Sequence, residues 1–337
     1  MILLIIALGG SLLLGVTFGS VRISAADVYR AMAGRIGFSG LKIPSKAMQD
    51  VVWLIRLPRL ALAAGIGAAL SVSGLVIQAA VRNPLADPYI LGVSAGSYTG
   101  AAAAIMLGWG SGFGGNAPGF MAFFGAFAAS LGVLGLAGAG GSPTPVKLVL
   151  AGTVVNALCA GAANFMIFRS HDAYSVQAVI HWTMGSLARA EWPVNAVVLP
   201  VILVSMLFFM SQFRTLNLML LGDEAAVSLG VELRFRRIIY LMVSAMMVGV
   251  AVFSAGMIGF VGLVIPHGTR ILFGNDHRKL VILCGLIGAI FLIWADVLCR
   301  VVIAGAEMPI GILTSLVGAP CFAGLMIRRR YRFGGAV

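Results

Sequence analysis

Apolar runs close to twenty residues long recur from one end of this chain to the other, separated by brief polar connections. Inside a bilayer every backbone N–H and C=O must find its partner within the protein, so only helices and closed barrels span it. Barrel strands read as short segments with a two-residue apolar alternation. The runs here are long and apolar on all sides, and a spanning helix needs about 20 such residues. The pattern therefore specifies an all-α polytopic membrane protein.

Composition narrows the class further. Apolar residues make up 60% of the 337 residues and charged residues only 10%, against about 25% charged in an ordinary soluble domain. This excludes a disordered protein, a coiled coil and a soluble globular enzyme. The 44 glycines carry no Gly-x-y period, which excludes collagen. The formal net charge of +12 first suggests nucleic acid, but the basic residues sit at the ends of apolar segments, as membrane anchors do. Arg328, Arg329, Arg330 and Arg332 directly follow the last segment. No nucleic-acid partner is expected; the lipid bilayer is.

Ten spanning or nearly spanning segments are predicted, at roughly 1–20, 60–80, 90–108, 118–140, 146–168, 193–211, 237–256, 257–272, 280–300 and 308–327. The first lacks a positively charged leader, so it reads as a span and not as a signal peptide. The segment 257–272 is short and contains Pro266, which predicts a half-helix buried in protein. All of 1–337 forms one transmembrane domain. Its two hydrophilic connections are 21–59, read as external, and 212–236, read as cytoplasmic.

Orientation follows from the lysines and arginines. With both termini inside, thirteen of the 23 fall on the cytoplasmic side and ten outside. Seven of those ten lie in 21–59, so this outer basic cluster needs its own reason.

At 100° per residue, Gly67, Ser71, Gly74 and Gln78 share one face of the second segment. Gly152, Asn156, Ala160 and Ala163 share one on the fifth, with Asn164 at its edge, and Glu307, Gly311, Thr314 and Gly318 share one on the last. Small residues allow close helix approach, whereas polar groups at membrane depth usually face a partner or a wet cavity. Gln78, Asn156, Asn164 and Glu307 are accordingly candidates for a translocation path or gate. The cysteines, Cys159, Cys284, Cys299 and Cys321, have no metal-site spacing and read as small buried hydrophobes. His267 reads as a hydrogen-bonded histidine, and His171 and His181 as polar residues on an external segment, with iron contact the lesser alternative. No metal site is expected.

The stretch RLPRLALAAGIGAALSVSGLVIQAAVRNPLADPYILGVSAG (56–96) resembles the permease signature of bacterial importers for iron chelates, haem and vitamin B12, the FecCD type. HWTMGSL (181–187), LGDEAAVSLGV (221–231), GFVGLVIPHGTRIL (259–272), DHRKL (276–280) and EMPIGILTSLVGAPCF (307–322) match in the same order. The resemblance implies a compact homodimer with the architecture of a type II ATP-binding-cassette importer permease. It also implies two cytoplasmic ATPase subunits and a periplasmic substrate-binding protein. The localisation implied is the bacterial inner membrane.

Arg56 and Arg59 match the positions that in this family dock carboxylates of the binding protein, and Arg300 is added to them. An i,i+4 pair with Asp296 is the alternative for Arg300. The matched segment 221–231 implies short helices that contact the ATPase. Gly222 and Gly230 bracket the run, Asp223 and Glu224 favour its N-terminus, and Ala225, Ala226 and Leu229 are expected to offer a small apolar face.

No Gly-x-x-x-x-Gly-Lys-Ser/Thr loop occurs, so ATP-Mg is expected on the partner ATPase. No cofactor and no catalysis are expected in this chain. Its cargo is expected to be a ferric siderophore first, with haem or cobalamin next. The competing reading is an ion-gradient-driven secondary transporter, for which buried mid-membrane acids would be the mark.

Overall fold

The computed structural model describes residues 1–19, 23–36, 45–139, 141, 143–303 and 305–328. Arg22, Lys42 and the terminal arginines Arg329, Arg330 and Arg332, which figure in the charge argument above, lie outside the described residues.

Among these residues the regular structure is helical throughout. In chain order the helices are α1 (Ile2–Thr17), α2 (Ala25–Ile36), α3 (Lys46–Asp50), α4 (Leu57–Ala80), α5 (Val93–Leu107), α6 (Ala117–Gly138), α7 (Pro145–Arg169) and α8 (Ala173–Thr183). They continue with α9 (Trp192–Ser211), α10 (Phe213–Leu221), α11 (Asp223–Ser228), α12 (Arg234–Ala255), α13 (Val261–Phe273), α14 (His277–Val301) and α15 (Ile310–Arg328). Six helical stretches are long and apolar enough to cross a membrane, and four shorter apolar helices, α1, α5, α13 and the described part of α15, accompany them. These ten coincide with the ten predicted segments.

Two differences concern the polar connections. The described residues of the connection 21–59 are substantially helical. It contains α2 and α3, and a wide π-helical turn over Val51–Arg56 runs straight into α4. Its charges masked that amphipathic periodicity. The connection after α7 forms α8, whose N-terminus is capped by Asp172 accepting from the amides of Tyr174 and Ser175. The Ser175 hydroxyl first, and then those amides, stabilise the anion and hold the Asp172 carboxyl below the ordinary carboxylate range.

Helix α4 forms the axis of the core, with 83% of its most apolar window buried. It reaches that position because its small-residue face lets other backbones approach. Gly67 packs directly on Gly288 of α14, Gly74 on Gly262 of α13, and Ser71 lies against Gly288 as well. A methyl group at Gly67 or Gly74 would collide with backbone atoms. Without a hydrophobic difference between lipid and side chain, such close van der Waals contact drives association.

Helix α13 is the expected half-helix. After α12 ends at Ala255, residues 256–260 run without helical structure, and α13 starts inside the bundle. Phe260 opens it with φ +67, a left-handed conformation costing a bulky residue about 1–2 kcal/mol. The Tyr89 hydroxyl holds this run: it donates to Ile258 O at 3.0 Å and accepts from Ile258 N at 3.1 Å. Backbone polar groups off the helical pattern are thus satisfied within the protein, as the bilayer demands.

The bundle has two functional ends. One carries the N-terminus of α4 and the C-termini of α1 and α14; it is called here the upper end. The lower end carries the C-terminus of α4 and the N-termini of α12 and α14.

Candidate functional site: two polar ends and the cavities between them

At the upper end, Arg56, Arg59 and Arg300 come together, but inside the protein. They are 4%, 6% and 6% exposed. Arg59 donates from Nε to Asp296 Oδ1 at 2.8 Å and from Nη1 to Glu307 Oε2 at 2.8 Å. Arg300 pairs through Nη2 with Asp296 Oδ2 at 3.1 Å and donates from Nη1 to Phe18 O at 2.8 Å. Arg56 caps the end of α1, donating from Nη1 to Val16 O at 2.7 Å and to Thr17 O at 3.1 Å. Asp296 therefore bridges α4 to α14, and the three arginines tie α1 and the 302–309 connection to the same point. Each guanidinium is occupied by an internal acceptor. The i,i+4 alternative for Arg300 is present.

Glu307 requires a correction. It stands three residues before α15 and not on its small-residue face. Its side chain is 42% exposed, against 7% for its partner Arg59. Burying a guanidinium without a partner is costly, and a half-exposed carboxylate from the connecting loop supplies part of the compensation. The connection itself is fixed by backbone bonds: Met308 N to Cys299 O at 3.0 Å, Ile310 N to Gly185 O at 3.2 Å and Gly311 N to Met184 O at 3.0 Å.

At the lower end, α10 and α11 meet at Gly222, whose φ of +102 reverses the chain. Only glycine takes this conformation readily, and the Arg82 guanidinium packs on its open face. Asp223 accepts from Arg237 Nη1 at 3.2 Å and Nη2 at 2.5 Å. This forked pair ties the start of α11 to α12. Glu224 lies at the exposed N-terminus of α11, and Gly230 ends the segment with φ +77. The expected apolar face is only partly as anticipated. Ala226 is fully buried against the bundle and Ala225 half-buried, while Val227 and Leu229 project outward. One helical turn decides this, because the Asp223–Arg237 pair sets which side of α11 faces inward.

Asn217 on α10 completes the lower end. It donates from Nδ2 to Asp276 Oδ1 at 2.9 Å and accepts from His277 N at 2.9 Å. With the Arg278 amide also donating to Asp276, the Asp276 carboxyl is held below the ordinary carboxylate range, first by the Asn217 hydrogen bond and then by that amide.

Cavities also occur among the described residues. One, of about 800 Å³, is lined by residues including Asp87, Tyr98, Asn156, Ala160, Thr183 and Phe260. Asn156 therefore faces a cavity, with its Oδ1 buried and without a hydrogen-bond partner. Asn164, just over two turns further along α7, is exposed and accepts from the Tyr98 hydroxyl at 3.1 Å. Gln78 does not join them. It is buried between α4 and α13, with Nε2 3.5 Å from Leu263 O. Asp87, in the connection between α4 and α5, is the acid that sequence reasoning missed at this cavity. Desolvation pushes its carboxyl up to about 6, partly offset by the Tyr89 amide. The RNPLADP turn contains the residue, but nothing in the turn motif reveals that it faces a cavity.

Another cavity, of about 880 Å³, opens at the upper end beside Glu307 and is lined by residues including Trp109, His181, Trp182, Arg189 and Phe253. His267 is buried beside Phe322, their ring centroids 6.4 Å apart. Cys284 and Cys299 are buried as expected, but Cys321 is exposed on α15.

Comparison with known proteins fits this arrangement. The chain is 41% identical over 292 residues to the hemin transport system permease protein HmuU of Yersinia pestis, covering 84% of this chain and 85% of HmuU. It is 40% identical over 279 residues to the vitamin B12 import system permease protein BtuC of Citrobacter koseri, covering 83% of each. Among solved structures, an inward-facing conformation of a metal-chelate type ABC transporter superposes with a TM-score of 0.80 at 29% identity, covering 97% of this chain and 98% of that one. The FecCD transport family model matches residues 3–328. With ten apolar helices, a buried charge cluster at one end and a glycine-hinged helix pair at the other, the chain belongs to the FecCD transport family.

Proposed function

We propose that this chain is the membrane permease of an ATP-driven importer that carries a metal chelate inward, a ferric siderophore first and haem or cobalamin next. The match to the family over nearly the whole chain carries this reading. HmuU and BtuC, named for hemin and vitamin B12, support the cargo class. The lower end faces the cytoplasm, with both termini inside and the protein in the bacterial inner membrane.

Two cytoplasmic ATPase subunits, which bind ATP-Mg, engage the α10–α11 pair, and Gly222, Asp223, Glu224, Ala225, Ala226, Leu229 and Gly230 form the coupling segment. Within it Val227 and Leu229 are the outward apolar contacts, and the Asp223–Arg237 pair passes their motion to α12. A second copy of the chain completes the path. The large exposed apolar side chains along α7 and α15, among them Leu158, Phe165, Leu316 and Val317, support that pairing. Asn156 and Asn164 lie toward the path, and Asn156, over its cavity, is the stronger gate position.

The periplasmic binding protein docks at the upper end. Three arginines against two carboxylates leave the Arg56–Arg59–Arg300 cluster net positive, and such a field orients an acidic partner. Docking through individual arginines then requires partner carboxylates to compete with Glu307, the exposed member of the cluster.

ATP-dependent uptake in proteoliposomes tests the proposal. The chain is reconstituted with the candidate ATPase and binding protein, and ferric siderophore, haem and cobalamin are offered in parallel. Uptake of one cargo that vanishes without the ATPase or the binding protein is expected. Uptake that persists without the ATPase and follows an ion gradient overturns the proposal in favour of a secondary transporter.

A further inference from the structure

Two guanidiniums at the lower end share a single aromatic ring. The Arg214 Cζ lies 5.7 Å from the Phe213 ring centroid, and the Arg278 Cζ lies 6.0 Å from the same centroid. Arg214 comes from α10 and Arg278 from the first turn of α14, so the platform joins two elements. Its geometry is rigid, because Asn217 on α10 bonds both Asp276 and the His277 amide at the start of α14. Lys279 follows directly, exposed like both arginines.

The ring quadrupole attracts each cation but neutralises neither. Among the described residues no salt bridge is made by Arg214, Arg278 or Lys279. Asp276 is the nearby acid, and its Oδ1 is taken by Asn217 and the Arg278 amide. Three cations against that one carboxylate leave a local excess of two positive charges on a platform that holds them together. A phosphodiester is the natural counter-ion: it is compact and anionic, with oxygens that accept from a guanidinium fork.

A second, independent feature selects where that phosphodiester comes from. Ile271, Leu272 and Phe273, immediately before the Asp276 cap, are large, apolar and largely exposed. An exposed apolar ridge beside a basic cluster at the end of a span matches the boundary between acyl chains and headgroups. A soluble anion would use the cations and leave the ridge idle. A lipid uses both.

The geometry points to an anionic phospholipid site on this platform, with the headgroup phosphate between Arg214 and Arg278 on Phe213 and the acyl chains along Ile271–Phe273. Lys279 adds long-range attraction. The site anchors α10, and through it the α10–α11 pair, to the membrane surface. The inference is independent of which substrate is carried and of which end faces the cytoplasm.

The test uses the full-length chain, purified from nanodiscs of equal parts dioleoyl-phosphatidylglycerol and dioleoyl-phosphatidylcholine, with retained lipids counted by native mass spectrometry. Both leaflets hold the same lipids, so sidedness does not enter. Preferential retention of phosphatidylglycerol is expected, and R214Q/R278Q lowers it about tenfold relative to phosphatidylcholine. Arg169→Gln, at the upper end of the bundle on α7, leaves it unchanged and controls for general charge. Phe213→Leu, which keeps the apolar contact but removes the ring, lowers retention by a smaller factor. Circular dichroism melting of each variant in the same discs verifies that it is folded.

No preference for phosphatidylglycerol, or a preference that survives R214Q/R278Q in folded protein, overturns the site. Displacement of the lipid by millimolar inorganic phosphate assigns the platform to a soluble anion and overturns it as well. If R214Q/R278Q leaves lipid retention intact but lowers association with the ATPase subunit, the patch is a protein contact and the lipid site is rejected.

Discussion

The two ends of the bundle solve opposite problems with the same residue types. At the upper end, Arg59, Asp296 and Arg300 are nearly sealed from solvent, and one carboxylate serves two guanidiniums. At the lower end, Arg237 is buried but its partner Asp223 is 47% exposed, and the pair sits beside a glycine hinge. A buried charge cluster resists any motion that would separate its members, because separation leaves an uncompensated charge. If the lower pair parts, the half-exposed carboxylate can turn to water, but the buried Arg237 keeps only Pro143 O as an acceptor. The upper end is therefore built to hold four chain segments in one register. The lower end joins α11 to α12 through a single ion pair beside a glycine turn.

The largest effect should come from Asp296. Asp296→Ala removes the shared acceptor of Arg59 and Arg300, and loss of one side of a buried pair typically costs about 3–5 kcal/mol. We expect this variant to accumulate poorly and to unfold well below the parent in detergent melting. A melting temperature within a few degrees of the parent would show that the upper end is not the rigid one.

Next in size is Leu229→Asp, which places a charge on the outward tip of α11. ATPase turnover of the reconstituted complex should fall about tenfold, an effect of order 1.4 kcal/mol, while melting of the isolated chain stays unchanged. Equal loss of stability would mean that α11 is structural, and would erase the contrast between the ends.

Gly222→Ala sharpens the hinge argument. The substitution forces a Cβ into the left-handed region and against Arg82, at about 1–2 kcal/mol. Its signature should be faster proteolysis within 221–231, with protection elsewhere unaltered.

Glu307→Gln separates the exposed from the buried member of the upper cluster. The amide keeps a hydrogen bond to Arg59, and the site is half in solvent, so the loss should stay below about 1 kcal/mol. A melting shift as large as that of Asp296→Ala would place Glu307 among the buried members.

A further effect concerns pH. The folded Asp87 carboxyl is raised to about 6 from an ordinary value of 3.8. The folded state therefore holds this proton more tightly than the unfolded state. Its contribution is greatest below the ordinary value and is lost as pH rises through about 6. Melting temperature should decline by a few degrees between pH 4 and 7 relative to Asp87→Asn, which lacks the slope. Parallel curves for the two proteins would remove Asp87 from the cavity wall.

Features met within a single segment were mostly legible, although Cys321, read as a buried hydrophobe, is exposed. Backbone satisfaction in lipid forces each long apolar run into a helix, so all ten segments could be located by length and hydropathy alone. Pro266 and the shortness of its segment marked the half-helix for the same reason. The Gly67–Ser71–Gly74 face was recognisable as a packing stripe, because small side chains at helical spacing have one evident use. Gly222, between an apolar turn and Asp223-Glu224, announced a chain reversal.

Pairings across the chain were a different matter. Arg59 meets Asp296 and Glu307 across 237 and 248 positions, and no local pattern encodes that contact. An arginine at a helix end looks the same whether it reaches outward or folds inward onto a distant acid. Gln78 shares its helix face with the packing glycines, and only the approach of α13 decided that it is buried there. Asp87 became a cavity residue, and Ala226 an inward one, through the placement of neighbouring elements. Sequence by itself determined which segments are helices and where they bend, because those demands are met within each segment. The tertiary structure alone decided which charges are sealed and which remain open, because burial is a property of what packs on a residue, and that is set by helices far apart in the chain.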